Sequence, residues 1–486
     1  MKNRILVSTG ISVLAGLLLS QSFMSHGTWL YGVFAIAIFA DRMREPSFRI
    51  RLFLTSVFSL TFLLFLLHWS SAYVGVLPWF FLAIGESVFY LPLAFIRFRG
   101  EIEYALAFSS GWVFVEFVRR NFPFGGFGWG RLGFITVQSP FSSALPMGGV
   151  ALGSFVMVLF SATLASFAHN FDRRALVLLV LPTLSISLLA KDLVIVSQQP
   201  SLRIALVQGG VPELGLRFND NPKAVFDRQY SQTLTSIAPG SVDLIVWPEN
   251  TVLISTADRT SEVQLIQRLS RQLLVPIQVG AVESRNGKLF NESILIRPNS
   301  REIYIKRKLV PFGEFIPIRF LAEKVSPLTQ SIRDFSSGNT RVDFKVMSQS
   351  ISPMLCYEIL DDEIVRSAAK YDSILVVQTN NATFGRTQEL FQERQIAIAR
   401  ALEVRRPIAY DSTTGITSFI RHNGKIDSAL SPFTPGTLTA KVSGTTKITP
   451  SVKYGKVIEL LIILCFIGLV TRRWQRDEVF DRNPDL

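Results

Sequence analysis

Three polar residues stand where short apolar runs stop, and their types together describe acyl-transfer chemistry. The run Ile351-Ser-Pro-Met-Leu-Cys356-Tyr357-Glu358 delivers a cysteine at its end and then turns polar, the pattern of a strand that finishes in a nucleophile turn. Val242-Asp-Leu-Ile-Val-Trp-Pro248-Glu249 ends a buried-strand pattern with a carboxylate. Ile303-Tyr-Ile-Lys306 ends another with an amine, followed by Arg-Lys308-Leu-Val-Pro-Phe-Gly313-Glu314. A thiol is weakly nucleophilic until it loses its proton. A carboxylate can take that proton when a partly dry pocket raises its pKa. An ammonium can then stabilise the oxyanion of a tetrahedral intermediate. Glu249, Lys306 and Cys356 are therefore read as base, oxyanion partner and nucleophile of a reaction that passes through a thioester. The second of the chain's two cysteines, Cys465, lies in an apolar C-terminal run, where a thiol behaves as a small hydrophobe. The two are not expected to pair.

These residues need elements to position them. Between 198 and 452, β-rich runs (Leu202–Val207, Val242–Trp247, Ile277–Val282, Ser293–Ile296, Ile303–Ile305, Ile374–Val377 and Pro407–Tyr410) alternate with helical patterns at Ala224–Ile237, Ser261–Leu273 and Gln388–Arg405. That alternation predicts a layered α/β domain, and about 250 residues can bury a core of their own. The rest of the chain is different. The whole is 48% hydrophobic with 39 Phe, and the excess is concentrated at both ends. A spanning helix needs roughly 20 apolar residues. Eight candidates are read at about 4–24, 27–40, 50–67, 74–96, 102–118, 147–169, 174–196 and 456–471, the second and eighth being short. The expected organisation is a seven-helix membrane region (1–197), a catalytic domain (198–452), and an eighth helix with a tail (453–486). The first run is read as a retained helix, not a cleaved signal peptide, because no small-residue cleavage site follows it.

Loop charges orient such a bundle. Arg42, Arg44, Arg49 and Arg51, then Arg97 and Arg99, then Arg173 and Arg174, and finally Arg472, Arg473 and Arg476 fall on alternate loops, whereas 21–26 and 68–73 carry no Lys or Arg. This places both termini in the cytoplasm and 198–452 outside it. The loop 119–146 departs from the alternation with Arg119, Arg120 and Arg131 around Phe122-Pro-Phe-Gly-Gly-Phe-Gly-Trp129-Gly. Those arginines are candidates to hold a lipid phosphate; the other reading is an interfacial turn with aromatic anchors. Glu86 and Glu116 are the acids well inside predicted helices, facing either a partner helix or a lipid-entry groove.

The residues Pro248-Glu249, Lys306 with Leu-Val-Pro-Phe-Gly-Glu314, and Cys356-Tyr-Glu358 resemble the Glu-Lys-Cys triad of the nitrilase superfamily. On a bundle of about eight membrane helices, with that domain inserted before the last, the chain resembles the bacterial apolipoprotein N-acyltransferases. Val207-Gln208-Gly209, Phe290-Asn291-Glu-Ser293, Thr379-Asn380-Asn381-Ala-Thr-Phe384-Gly385, Gln392, Arg400-Ala-Leu-Glu403, Arg406-Pro407 and Thr413-Thr-Gly415-Ile-Thr417 add to the match. The resemblance implies an extracytoplasmic αββα sandwich of nitrilase type beside the bundle. It gives Glu314 as the carboxylate that orients Lys306 and the acceptor amine, Tyr357 and Glu358 as supports of the thiol turn, and Asn291 as part of the pocket wall. It implies a ping-pong reaction in the bacterial inner membrane. Cys356 takes an acyl chain from a phospholipid and passes it to the free α-amino group of a diacylglyceryl-cysteine at an apolipoprotein N-terminus. No cofactor is implied, and nothing requires more than a monomer. Three positions depart from the family pattern: Glu393 where many members have His, Thr383 where Trp is frequent, and Asp411 in a run that elsewhere contains Asn.

Other classes fare worse. The excess of 50 Lys and Arg over 37 Asp and Glu, +13 in all, has no basic patch interleaved with aromatics, so nucleic acid is not expected, and charge at membrane edges accounts for it. No Cys/His cluster has metal spacing, and no phosphate-cradling loop of the G-x-x-x-x-G-K type appears. His26, His68 and His169 lie at predicted helix ends and His422 in a predicted hairpin, which leaves a Ser-His-Asp enzyme without its base. A membrane-tethered amidase would use the same triad but has no use for seven preceding helices. A transporter or scaffold would want more charge deep in the bundle.

Overall fold

Along the first strand of the α/β region the side chains alternate between two cores: Leu202, Ile204 and Leu206 face one, Ala205 and Val207 the other. This period of two buries a sheet on both faces. The computed structural model describes residues 2–98, 100–170, 198–217, 220–254, 261–325 and 328–482. It divides the chain into two compact units, one of residues 69–78 with 195–452, the other of residues 1–68, 79–194 and 453–486.

In the first unit, β1 (Gln198–Gln208), β2 (Leu244–Val246), β3 (Val252–Ile254), β4 (Ile277–Arg285), β5 (Lys288–Ile296) and β6 (Arg301–Ile305) build one sheet. A second contains β7 (Phe344–Val346), β8 (Gln349–Leu355), β9 (Ile374–Thr379), β10 (Ile408–Ser412), β11 (Ser418–Ile420) and β12 (Ile426–Ala429). The last strand, β13 (Gly436–Thr445), returns to pair antiparallel with β1. The central pairs β1–β2, β2–β4, β8–β9 and β9–β10 are parallel, and both sheets end in antiparallel strands. The sheets face each other across a dry layer in which Leu244, Val246, Leu295 and Tyr304 meet Ile351, Leu355, Ile374 and Val376. Helices Pro222–Ser236 and Ser261–Leu273 cover the outer face of the first sheet through Phe226, Ile266 and Leu269, while helices Asp362–Tyr371 and Glu389–Val404 pack on the second. The result is the αββα sandwich expected.

Local signals set the helix ends. Asn221 caps Pro222–Ser236 by accepting from the Ala224 N–H, with Pro222 in the first turn, where its missing N–H is harmless. Asp361 accepts from the N–H groups of Glu363 and Ile364 and starts the helix Asp362–Tyr371 directly after the cysteine turn. One glycine is required by close approach: a Cβ on Gly280 in β4 would lie 2.4 Å from the Pro248 carbonyl oxygen and 2.5 Å from the Glu249 Cα.

Among the described residues, five helical stretches are long and apolar enough to cross a membrane: Asn3–Gln21, Phe48–Leu66, Val76–Phe95, Pro140–Ala168 and Pro450–Arg473. They correspond to five of the eight expected spans. The segment expected at 27–40 forms a helix of 14 residues, Trp29–Arg42. That at 102–118 forms the 21-residue helix Glu101–Asn121, which carries Glu116 and Arg119. The candidate 174–196 lies outside the described residues. Several interior charges are paired. Arg119 donates to Glu86 at 2.7 Å and to the Tyr90 hydroxyl at 3.0 Å. Glu116 accepts from the Trp112 indole, the Leu132 N–H and Ser154, with Arg131 3.6 Å away. Glu459 on the last helix lies 2.8 Å from Arg120. Glu86 and Glu116 thus face partner residues inside the bundle.

Gly280→Ala should cost about 1–3 kcal/mol through overpacking against the Glu249 backbone, read as a lower midpoint in thermal unfolding of the detergent-solubilised protein; a midpoint equal to wild type would show that the turn yields freely.

Candidate active site

The three residues marked in the sequence all stand just beyond strand ends. Glu249 follows β2, Lys306 follows β6, and Cys356 follows β8 on the facing sheet. Lys306 is 1% exposed and lies between two carboxylates, 3.0 Å from Glu249 Oε1 and 2.9 Å from Glu314 Oε1. The Asn291 amide on β5 donates to the same two oxygens at 2.8 and 2.6 Å, and the Lys306 N–H donates back to the Asn291 carbonyl. Glu314 is fixed by the Val310 N–H on its second oxygen, which explains why a Pro-Phe-Gly turn separates it from the lysine. Asn291, a pocket-wall residue in the sequence reading, therefore belongs to the ion cluster itself.

The charges follow from burial and pairing. Burial alone would lower the Lys306 pKa, but Glu249, Glu314 and Cys356 outweigh it and hold the amine well above its ordinary value. Burial, with Glu314 nearby, pushes Glu249 above the usual carboxylate range, against the pull of Lys306 and Asn291. Both hydrogen bonds to Glu249 fall on Oε1, which leaves Oε2 as the oxygen suited to receive a proton. Burial also raises the Cys356 thiol well above its ordinary value, helped by Glu393 and Glu249 and opposed by Lys306 and Thr379. The resting cysteine is a thiol that a base must deprotonate.

Cys356 itself has φ +44°, a left-handed conformation costing a non-glycine residue about 1–3 kcal/mol. Glu358 holds the turn in place. It is fully buried and accepts from the Leu355 N–H at 2.9 Å, the Arg307 N–H at 2.7 Å, the Lys308 N–H at 3.3 Å and the Tyr304 hydroxyl at 2.7 Å. One carboxylate thus ties the cysteine turn to the backbone just beyond Lys306. Arg400, also fully buried, donates to the carbonyls of Ile359 and Leu360 and pairs with Asp362 and Glu403, so the Arg-Ala-Leu-Glu run clamps the far side of the same turn. Tyr357 is 6% exposed in the core. A second tie joins the sheets: Gln378 of β9 donates to the Trp247 carbonyl at the start of the Glu249 turn and accepts from Gln278 of β4.

Beyond Cys356 lies a further polar group. Glu393 accepts from Thr379 (2.8 and 2.9 Å), Asn381 (2.7 Å) and Tyr410 (2.7 Å), and Asn381 also donates to Glu389 at 2.8 Å. Trp69, from the 69–78 segment, donates its indole N–H to Gln392 and packs edge-on against Phe384. Sequence reasoning missed the site roles of Gln378, Thr379, Tyr410, Glu389 and Trp69; only Thr379-Asn380-Asn381 carried a signal. Arg119 and Arg131 are each 1% exposed, and Arg119, Arg120 and Arg131 all lie against Glu86, Glu116 or Glu459 in their own unit.

Residues 203–449 match the carbon-nitrogen hydrolase family, and residues 15–163 match the N-terminal domain of apolipoprotein N-acyltransferases. The chain belongs to the apolipoprotein N-acyltransferase family, with a carbon-nitrogen hydrolase domain. It is 25% identical to the apolipoprotein N-acyltransferase of Haemophilus influenzae, over 94% of this chain and 93% of that one. It is 29% identical to the namesake in Geobacter metallireducens, over 89% and 88%, and 28% identical to that of Photobacterium profundum, over 71% and 68%.

Glu358→Ala removes the acceptor of four donors, two of them buried and two part-buried, and should cost about 3 kcal/mol, measured as lost unfolding stability, with Cys356 becoming alkylated faster as its turn loosens. Arg400→Ala should cost about 3–5 kcal/mol by stranding Asp362 and Glu403, and Arg400→Lys should not restore it, since one ammonium cannot reach both carbonyls and both acids.

Proposed function

We propose that this protein transfers a fatty acyl chain from a membrane phospholipid to the N-terminal α-amino group of diacylglyceryl-cysteine on apolipoproteins. The observation that carries this is the buried Lys306 ammonium shared by Glu249 and Glu314 beside the Cys356 thiol, in a chain related along its membrane region as well as its hydrolase domain. In the first half-reaction Glu249 takes the Cys356 proton and the thiolate attacks the ester carbonyl. The oxyanion forms against Lys306. The C–O bond breaks, the Glu249 proton passes to the leaving oxygen, and a lysophospholipid departs. In the second, the amine attacks the thioester, the C–S bond breaks, and the amine's proton returns through Glu249 to the sulfur. Glu314 and Asn291 keep Lys306 in place in both. Excluding water protects the thioester from hydrolysis.

This reading makes residues 198–452 the catalytic domain, on the extracytoplasmic side of the bacterial inner membrane. Residues 1–197 and 453–486 anchor it as a monomer, with both termini in the cytoplasm. The apolar helices and the alternation of loop arginines support that arrangement.

Purified protein incubated with phospholipid and no acceptor should gain the mass of one acyl chain, removable by hydroxylamine and absent in Cys356→Ala. Glu249→Gln should slow the gain by about 10²–10⁴-fold. No adduct on a folded wild type would instead favour hydrolysis of small amides. Because Glu249 must be ionised to act and its pKa is raised, acyl-enzyme formation should rise with pH through a midpoint above the usual carboxylate range. Lys306, held well above its ordinary value, should add no falling limb near neutrality.

A further inference from the structure

Asp411 stands in one of the runs that depart from the family pattern, and the structure places it between the two sheets. It is 0% exposed on β10, in register with Gln378 of β9. Among the described residues no cation acts on it, and its Oδ2 has no hydrogen-bond partner. Ionised, it would carry a dry charge with nothing to compensate it. Burial pushes the carboxyl well above the usual carboxylate range. Hydrogen bonds from Thr417 and from the N–H groups of Val207 and Ser412 would pull it down, and burial outweighs all three. These groups on β1, β10 and the 413–417 turn are uncharged, as is Gln378 beside it on β9, so no second titration is mixed with its own.

Counting protons around Thr417 leads to the same state. The Gln208 amide, at the end of β1, donates to the Thr434 carbonyl at 3.0 Å and to that of Ser431 at 3.4 Å. Turning the amide over would set its oxygen against those two carbonyl oxygens. Gln208 Oε1 therefore faces Thr417, 2.7 Å away, and must accept. The Thr417 hydroxyl has one proton. Its contact with Gln208 is shorter than those with Asp411 Oδ1 at 3.2 Å and the Ser412 carbonyl at 3.3 Å, so Gln208 takes that proton. The two lone pairs of Thr417 are left for the Ser412 N–H at 3.1 Å and for Asp411 Oδ1. The first is a donor. The second completes the set only if it carries a hydrogen.

We propose that Asp411 is a neutral carboxylic acid whose O–H is donated to Thr417, closing a polar tie that runs from Gln208 on one sheet through Thr417 to Asp411 on the other. The tie belongs to the layer that aligns Glu249 and Lys306 with Cys356. Once the proton is removed, Asp411 faces a lone pair of Thr417 and the tie opens. The alignment of the sheets thus has an alkaline limit set by a residue outside the catalytic cluster. This inference does not depend on which acyl donor or acceptor the site takes. The native carboxyl keeps its proton at pH values where the unfolded chain has released it, so rising pH favours unfolding.

The test compares the full-length protein in detergent with Asp411→Asn, a neutral side chain of the same shape, from about pH 5 to about pH 9, all above the ordinary aspartate value. The unfolding constant of wild type relative to the variant should rise about tenfold per pH unit until the native carboxyl itself titrates. A ratio that stays flat or falls as pH rises overturns the proposal. Infrared spectra of protein carrying isotope-labelled aspartate give a second reading. At about pH 9 wild type should keep a protonated carboxylic acid band that is lost in Asp411→Asn. Asp372, which burial pushes up to about 7, has given up its proton by then. A band of equal strength in the variant overturns the proposal. If the variant does not fold, wild type decides alone: the band supports the neutral acid, and its absence overturns it.

Discussion

The site depends on a dry ammonium. Lys306 is taken out of water and its charge is met by two carboxylates at about the same distance. A buried ion is costly unless each of its donors and each partner lone pair is placed, and the surrounding bonds do that placing: Asn291 spans the two acids, Val310 fixes one, and the β5–β6 backbone pairing holds amide and amine in register. Burial, with Glu314 beside it, raises the proton affinity of Glu249 against the pull of Lys306.

Around that cluster the fold solves a problem of alignment between two sheets. Glu249 and Lys306 ride on one, Cys356 on the other, and the dry layer between them is apolar and has no directionality of its own. Orientation comes from two polar ties at its edge, Glu358 reaching back to Tyr304 and the backbone after Lys306, and Gln378 reaching to the Trp247 carbonyl. Each tie fixes a backbone segment directly beside a reactive side chain. The close approach of Gly280 to Pro248 and Glu249 supplies the third restraint, one of shape.

Much of this was legible in the residues. The strand-end positions of Glu249, Lys306 and Cys356 follow from apolar runs that stop at a polar residue, and the alternation of strand and helix patterns predicts the layered fold. What was not legible depends on partners distant in sequence. Glu358 reads equally as support or bystander until Tyr304 and the 307–308 backbone are seen on it. Gln378 lies inside a continuous buried strand, where nothing in the pattern marks it as a crossing tie. The loop arginines look exposed because glycine and aromatics surround them, yet their partners Glu86 and Glu459 lie more than 30 and 300 positions away. Short strands such as β3 and β11, three residues each, leave too brief a period to detect.

The α/β unit is not a continuous stretch of chain. Residues 69–78 are part of it, and Trp69 donates to Gln392 across 323 positions. During synthesis, therefore, one piece of the unit emerges between the third and fourth apolar runs and waits while several further helices and most of the sandwich are made. The unit can close only when the helix bearing Gln392 has left the ribosome. A soluble fragment cut at 198–452 would omit the Trp69 indole altogether; the smallest contiguous piece that contains the whole unit runs from 69 to 452 and carries the intervening helices with it.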